Sequence, residues 1–178
     1  MIIGITGPAG SGKDTLGELI LSQYPNKFVR ISFADPIKYM LQVGLKVTGN
    51  DLCNKEHMLP EYGCSTRHLL QTLGTEWGRK LIHPDIWITC AQKHIDNLST
   101  VGFSSFVFTD VRFENEVRFI RTHAGTIIHL TGRGGIPGNH ESESGVKQLP
   151  ADWVFDNSGS IADLERQLIE FFVSKGMK

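Results

Sequence analysis

No stretch of this sequence approaches the ~20 consecutive apolar residues that a membrane-spanning helix needs. An excess of one charge is missing too: 18 Lys and Arg stand against 19 Asp and Glu, a net charge of -1. Such a balance exerts no general pull on nucleic acid or a membrane surface, so any anion must be gripped by a local site. Cysteine is sparse. Cys53, Cys64 and Cys90 are an odd number without framework spacing, which excludes a disulfide scaffold and suits a reducing cytoplasm. Internal repeats and low-complexity segments are lacking. The first residues read as a strand rather than a charged segment plus apolar plug, so no signal peptide is expected. What is present is ordinary for a globular protein: 178 residues, 40% hydrophobic and 21% charged, enough for one domain with a core and short for two.

Five β-rich runs stand out, at 2–6, 28–33, 103–109, 126–130 and 153–155. Segments of helical period lie between them. Leu16, Leu19 and Ile20 share one face, Leu70, Leu73, Trp77 and Leu81 a second, and Trp87, Ala91, His94 and Leu98 a third. Phe113, Val117 and Ile120 follow the third strand, and Ser160 with Asp163 forms a capping box ahead of the last helix. Strands separated by helices predict right-handed crossovers, hence a mainly parallel five-stranded sheet covered by helices on both faces. Residues 49–65 and the glycine-rich 132–145 are expected to be mobile. Ligands of such sheets lie just beyond the carboxyl ends of the strands.

One such end carries Gly7-Pro8-Ala9-Gly10-Ser11-Gly12-Lys13, a G-x-x-x-x-G-K loop between a strand and a helix. Glycines let successive N–H groups turn inward, the helix N-terminus adds positive potential, and Lys13 reaches the outer phosphates. A tight turn alone would not require a lysine at the helix start. The dinucleotide fingerprint fails, because Thr15 stands where its third glycine belongs. Asp14 follows the lysine where Ser or Thr is usual, and at a helix N-terminus it is favourable with the dipole. A guanine-reading Asn-Lys-x-Asp is missing, since Asn54-Lys55 leads into Glu56-His57, and this disfavours a GTPase.

Asp35 follows the second strand, with Pro36 after it and Lys38 a turn on. It reads as a helix cap that could also face a ligand. Arg67, Gln71, Thr75 and Arg79 recur every four residues, with Gly74 allowing close approach. That stripe reads either as a solvated face or as a grip on a monophosphate and a base edge, since arginine binds phosphate bidentately. Asp110 closes the third strand, where a carboxylate would position a magnesium shell or an acceptor, and Arg112 beyond it could meet transferred-phosphate charge. Glu114 and Arg118 read as a surface pair.

GPAGSGKDT closely resembles the loop of nucleoside monophosphate kinases, in which the hydroxyl comes two residues after the lysine. GKDT, FADPIK, LLQTLGTEWGR with HPDIW, DVRFENE, HESE and DNSGS, in that order over nearly the whole chain, resemble the phage-type deoxynucleoside monophosphate kinases. The resemblance implies a single P-loop kinase domain over 1–178, a three-layer α/β sandwich with mobile acceptor-binding (about 34–82) and lid (about 131–146) segments. It implies transfer of the ATP γ-phosphate to a deoxynucleoside 5′-monophosphate, with Mg2+ as cofactor. Ala9, Gly10, Ser11, Gly12, Lys13, Asp14 and Thr15 would hold ATP, Thr15 taking the magnesium with Asp110 reaching it through water. Asn157, Ser158 and Gly159 would lie beside adenine, or merely cap the final helix. Asp35, Lys38, Arg67, Gln71, Gly74, Thr75, Glu76, Trp77, Arg79 and Arg112 would line the acceptor site. Lys13, Asp110 and Arg112 would serve the reaction centre, with Arg133 as a lid arginine.

His140 in the glycine-rich segment reads equally as a substrate contact or a solvated residue. Cys53-x3-His57 and Cys64-x3-His68 lack the tight spacing of zinc ligands. Trp87 and Trp153 read as core. The partners implied are small-molecule nucleotides, neither nucleic acid nor membrane, with a homodimer left open. Two other readings remain at this point: a small-molecule kinase resembling dephospho-coenzyme A or phosphomevalonate kinases, and a non-catalytic ATP-binding regulatory module. The first lacks the LGTEWGR stripe, and the second needs neither Arg112 nor Arg133.

Overall fold

The computed structural model of the chain describes residues 1–135, 146–150 and 152–177. His140 and most of the expected lid fall outside the described residues. Contacts divide the chain into two units, Met1–Ile31 with Ile95–Lys178, and Ser32–His94. Among the described residues no helix is long and apolar enough to cross a membrane.

The first unit is built on five strands: β1 (Ile2–Thr6), β2 (Phe28–Ile31), β5 (Ser105–Phe108), β6 (Thr126–Thr131) and β7 (Trp153–Asp156). Each pairs in parallel, in the order β2-β5-β1-β6-β7. A parallel sheet covered on both faces buries nearly every strand residue, and β1 is buried at all five positions. Alternation sends Ile3 and Ile5 to a core with Leu16 and Ile20 of α1 (Lys13–Gln23) and with Leu164, Leu168, Phe171 and Phe172 of α7 (Ile161–Ser174). Gly4 faces the other way, where α6 (Glu114–Thr122) packs so closely that a Cβ would lie 2.4 Å from Ile120 Cδ1. The capping box of α7 forms as read, Asp163 Oδ2 accepting the Ser160 N–H at 2.9 Å.

Strand β1 lies between β5 and β6, so the chain leaves it toward one edge and later returns on its other side. Open α/β sheets bind ligands at such a reversal, and here the carboxyl end of β1 is where the glycine-rich loop begins.

The second unit holds α2 (Asp35–Leu45), α3 (Gly49–Cys53), the short antiparallel pair β3 (Met58–Leu59) and β4 (Cys64–Ser65), α4 (Thr66–Gln71) and a π-helix, Thr72–Ile82. Residues 49–65 thus carry α3 and a small hairpin. Leu41, Val47 and Leu59 form its core, with Leu52, Leu69, Leu70 and Leu73 packed against it. Helix α5 (Ile86–Thr100) runs from this unit into the first.

The π-helix corrects the helical wheel. Bonding from i to i+5 adds a residue to each turn, so faces drawn at 3.6 residues drift apart. Gly74, Thr75, Gly78 and Arg79 are buried, whereas Leu81, expected on the apolar face, is 76% exposed. Trp87 settles against the wide turns: its indole N–H donates to the Gly74 carbonyl at 2.7 Å, and a Cβ at Gly78 would stand 2.4 Å from its ring. On α5 the buried face is Trp87, Ala91 and Ile95, and His94, expected among them, is exposed. Asp35 is the first residue of α2 rather than its cap.

Beside β7, Asp152 organises a polar cluster. Its carboxylate accepts both oxygens' worth of bonds from Arg121 Nη2 (2.7 and 2.8 Å) and one from the Leu149 N–H (2.8 Å), and lies 3.0 Å from His129 Nε2. Burial works to raise this carboxyl, but the bonds from Arg121, Leu149 and His129 outweigh it and hold it below the ordinary range. A depressed folded value means stability that is present above the unfolded pKa, about 3.9, and lost as pH falls through the folded one. We expect Asp152→Asn to lower stability by about 2 kcal/mol at neutral pH, read by thermal unfolding. The variant's deficit should shrink as pH falls below about 4; a deficit independent of pH down to acid unfolding would deny the carboxylate this role.

Candidate functional site

The loop after β1 enters α1 through Gly12, which is left-handed at φ 95°. Ser11 is fully buried and its N–H donates to the Pro8 carbonyl at 3.2 Å. The Lys13 ammonium arches back over the loop, donating to the carbonyls of Gly7 (2.9 Å) and Pro8 (2.7 Å) and lying 3.5 Å from Ser11 Oγ. An ammonium bonded to neutral carbonyls is able to exchange them for anionic oxygens, whose charge makes stronger bonds. Ala9, Gly10, Asp14 and Thr15 are exposed on the same loop and first helical turn.

Asp14 has a partner that the sequence did not indicate. Its carboxylate accepts the Thr109 hydroxyl at 3.0 Å, from the end of the neighbouring strand β5. Thr109 is buried and precedes Asp110, which is half-buried. The bond ties the start of α1 to the segment carrying Asp110 and Arg112. That segment is shaped by Glu116, a buried carboxylate whose Oε2 accepts the N–H groups of Arg112 (2.7 Å) and Phe113 (3.0 Å). The acid at the third helical position was the signal for this, since a glutamate there reaches back to cap its own helix. Glu114 is exposed and accepts the Lys147 N–H at 2.7 Å.

From the other side, residues 132–135 lie along the loop. The Gly135 N–H donates to the Ala9 carbonyl at 3.2 Å. Gly134 sits at φ +79, and a Cβ there would come within 2.2 Å of the Ala9 oxygen, so only glycine permits the approach. Arg133, read as a lid arginine, is exposed and donates from Nη2 to the Gly159 carbonyl at 2.6 Å. The turn after β7 is held by Asp156, which accepts the N–H (2.9 Å) and hydroxyl (2.8 Å) of Ser158. Ser158 and Gly159 are exposed; Asn157 is buried and its amide donates to the Ser11 carbonyl at 2.8 Å. The first unit therefore gathers Lys13, Asp14, Thr15, Asp110, Arg112, Arg133 and Asn157 at the carboxyl ends of four neighbouring strands, brought together from distant parts of the chain.

The second unit, taken alone, holds the rest. Asp35 Oδ2 accepts the Ser32 N–H (3.0 Å) and Oδ1 the Lys38 ammonium (2.8 Å). Arg67 is half-buried with its Nε bonded to Glu56. Gln71 is half-buried, and Glu76, also half-buried, lies 3.5 Å from the Lys80 ammonium. Trp77 is 37% exposed, its ring 6.4 Å from that of Trp87. Thr75 and Arg79 are buried, Arg79 Nη1 donating to the Pro84 carbonyl at 3.2 Å. The four-residue stripe is thus divided by the change from α to π geometry.

A family model described as deoxynucleotide monophosphate kinase matches residues 54–168. The putative deoxynucleotide monophosphate kinase of Acanthamoeba polyphaga mimivirus is 28% identical over 185 residues, spanning 95% of this chain and 94% of that protein. The deoxynucleoside-5′-monophosphate kinase of Escherichia phage T5 is 27% identical, spanning 86% and 87%. Among solved structures, TT1252 from Thermus thermophilus aligns with a TM-score of 0.53 at 20% identity over 98% of this chain and 97% of that one, a likeness of fold. A glycine-rich strand-to-helix loop at the reversal point of an all-parallel sheet accompanies a family match over most of the chain: this protein belongs to the deoxynucleotide monophosphate kinase family and is a phosphotransferase.

Proposed function

We propose that the chain transfers the γ-phosphoryl group of ATP to a deoxynucleoside 5′-monophosphate, yielding the diphosphate and ADP. The observation that carries this reading is the cluster around Lys13, with an arginine segment (Arg112) from β5 and a second arginine segment (Arg133) from β6 held beside one loop. An acceptor phosphate oxygen attacks γ-phosphorus in line, and the bond to the β,γ-bridging oxygen breaks. The groups around it have little covalent work to do; they hold the reactants and neutralise charge on the equatorial oxygens.

In this reading Ala9, Gly10, Ser11, Gly12 and Lys13 cradle the β- and γ-phosphates, and Ser158 and Gly159 border the adenine. Arg112 and Arg133 meet the transferring group. Arg133 would leave or share its bond to Gly159 to do so. The exposed Thr15 hydroxyl and the carboxylates of Asp14 and Asp110 are hard oxygen donors of the kind magnesium takes, so they fit that ion. When bound, it would neutralise phosphate charge; Asp110 would orient it through water, and Asp14, anchored on Thr109, would hold the loop's far side.

The acceptor reading falls on the segment 34–82. Asp35, Lys38, Arg67, Gln71, Glu76 and Trp77 carry exposed or half-exposed groups able to meet a nucleotide. Gly74, Thr75 and Arg79, being buried, would act through the shape of the π-helix or by a rearrangement on binding. Residues 132–135, lying along the loop, would cover the transferring group and exclude water that would otherwise take it. ATP consumption measured against dTMP, dGMP, dCMP, dAMP and the ribose forms tests the proposal. We expect at least one deoxynucleotide to be phosphorylated with kcat/KM far above its ribose counterpart. Consumption with none of them would remove the reading.

A further inference from the structure

Asn157 follows β7, where the adenine-side turn is read, yet its side chain points into the protein. It is 7% exposed, and its Nδ2 donates to the Ser11 carbonyl at 2.8 Å across 146 residues of chain. Its backbone N–H donates to the Thr131 carbonyl at 2.9 Å, so the residue is fixed from β6 as well. The loop is shaped to receive it: a Cβ at Gly12 would stand 2.5 Å from Asn157 Nδ2, and Gly12 adopts a φ of +95 that other residues rarely take. The Ser11 carbonyl and the Gly12 N–H belong to one planar trans peptide and point in opposite directions. Holding the carbonyl toward Asn157 therefore turns the Gly12 N–H away from it.

We infer that Asn157 is a positioning residue for phosphate binding: its amide sets the Ser11–Gly12 peptide plane, and so the direction of the loop's N–H groups, whatever base the nucleotide carries. The inference rests on the proposal that this loop holds a triphosphate. An adenine-reading residue would instead act through the base, and a residue that only stabilises the fold would leave the affinity of the folded protein unchanged.

The test compares wild type with Asn157→Ala and Asn157→Asp by calorimetric titration with tripolyphosphate, ATP and GTP, alongside steady-state kinetics. Thermal unfolding shows the temperature range in which each variant is folded. Asn157→Asp keeps the side chain's shape, so no cavity forms, but sets an oxygen against the Ser11 carbonyl. Each variant should bind tripolyphosphate, ATP and GTP about tenfold more weakly, by the same factor for all three, because a buried acceptor loses its donor. KM for ATP should rise by a similar factor with a smaller fall in kcat. A loss confined to ATP, or unchanged affinity for all three ligands, would overturn the inference. Wild-type protein that binds neither tripolyphosphate nor nucleotide would overturn the underlying loop reading, and the inference with it.

Discussion

Lys13→Ala is expected to lower kcat/KM about 10²- to 10³-fold while leaving the protein folded. Its ammonium donates to the Gly7 and Pro8 carbonyls and lies 3.5 Å from Ser11 Oγ, and Lys13 belongs to neither buried hydrophobic core. Truncating it therefore spares both hydrophobic cores, whereas in the proposed chemistry a phosphoryl transfer in progress loses a full positive charge beside its oxygens. Lys13→Arg should recover little, because a planar fork does not replace a compact ammonium in a loop this tight. Kinetics with the preferred acceptor, set beside thermal unfolding, decide the matter. Loss of folding in Lys13→Ala would make the lysine structural, and activity near wild type would place the phosphates elsewhere.

Arg112→Ala is expected to lower kcat about a hundredfold with ATP affinity changed no more than about threefold. The backbone N–H of Arg112 donates to Glu116 at the start of α6, and that bond survives the substitution. What is lost is the guanidinium, which in the proposed chemistry meets charge that develops only during transfer. An interaction made only in the transition state appears in kcat, whereas one made in the ground state appears mainly in KM. A fall in ATP affinity with kcat preserved would recast Arg112 as a nucleotide-binding residue. Unchanged turnover would favour a module that binds ATP without using it.

Local patterns carried much of this. Gly7 to Lys13 announced a tight loop leading into a helix at Lys13, because the pattern is contained in one short stretch with its own turn and helix start. The strands declared themselves as apolar runs between helical periods, and their parallel pairing followed from the connections. Ser160 and Asp163 announced a helix start because capping acts over three residues. The periodic reading failed at two places, Leu81 on the π-helix and His94 on α5, which stays α-helical. Leu81 and His94 were assigned to buried faces at α-helical spacing, while Trp87 and the paired glycines 74 and 78 favour a π-helix that turns Leu81 outward, and Ile95 takes the inward place on α5.

The contacts around the loop belong to another class. Thr109 on Asp14, Gly135 on Ala9 and Asn157 on Ser11 join residues between 95 and 146 positions apart or held on separate strands, and no spacing rule links them. Sequence alone determined which residues can carry charge, turn tightly and enter a strand or helix, since those depend on side-chain chemistry and near neighbours. Only the tertiary structure decided which of them meet, because the order of strands in a sheet places side by side segments that the chain itself keeps far apart.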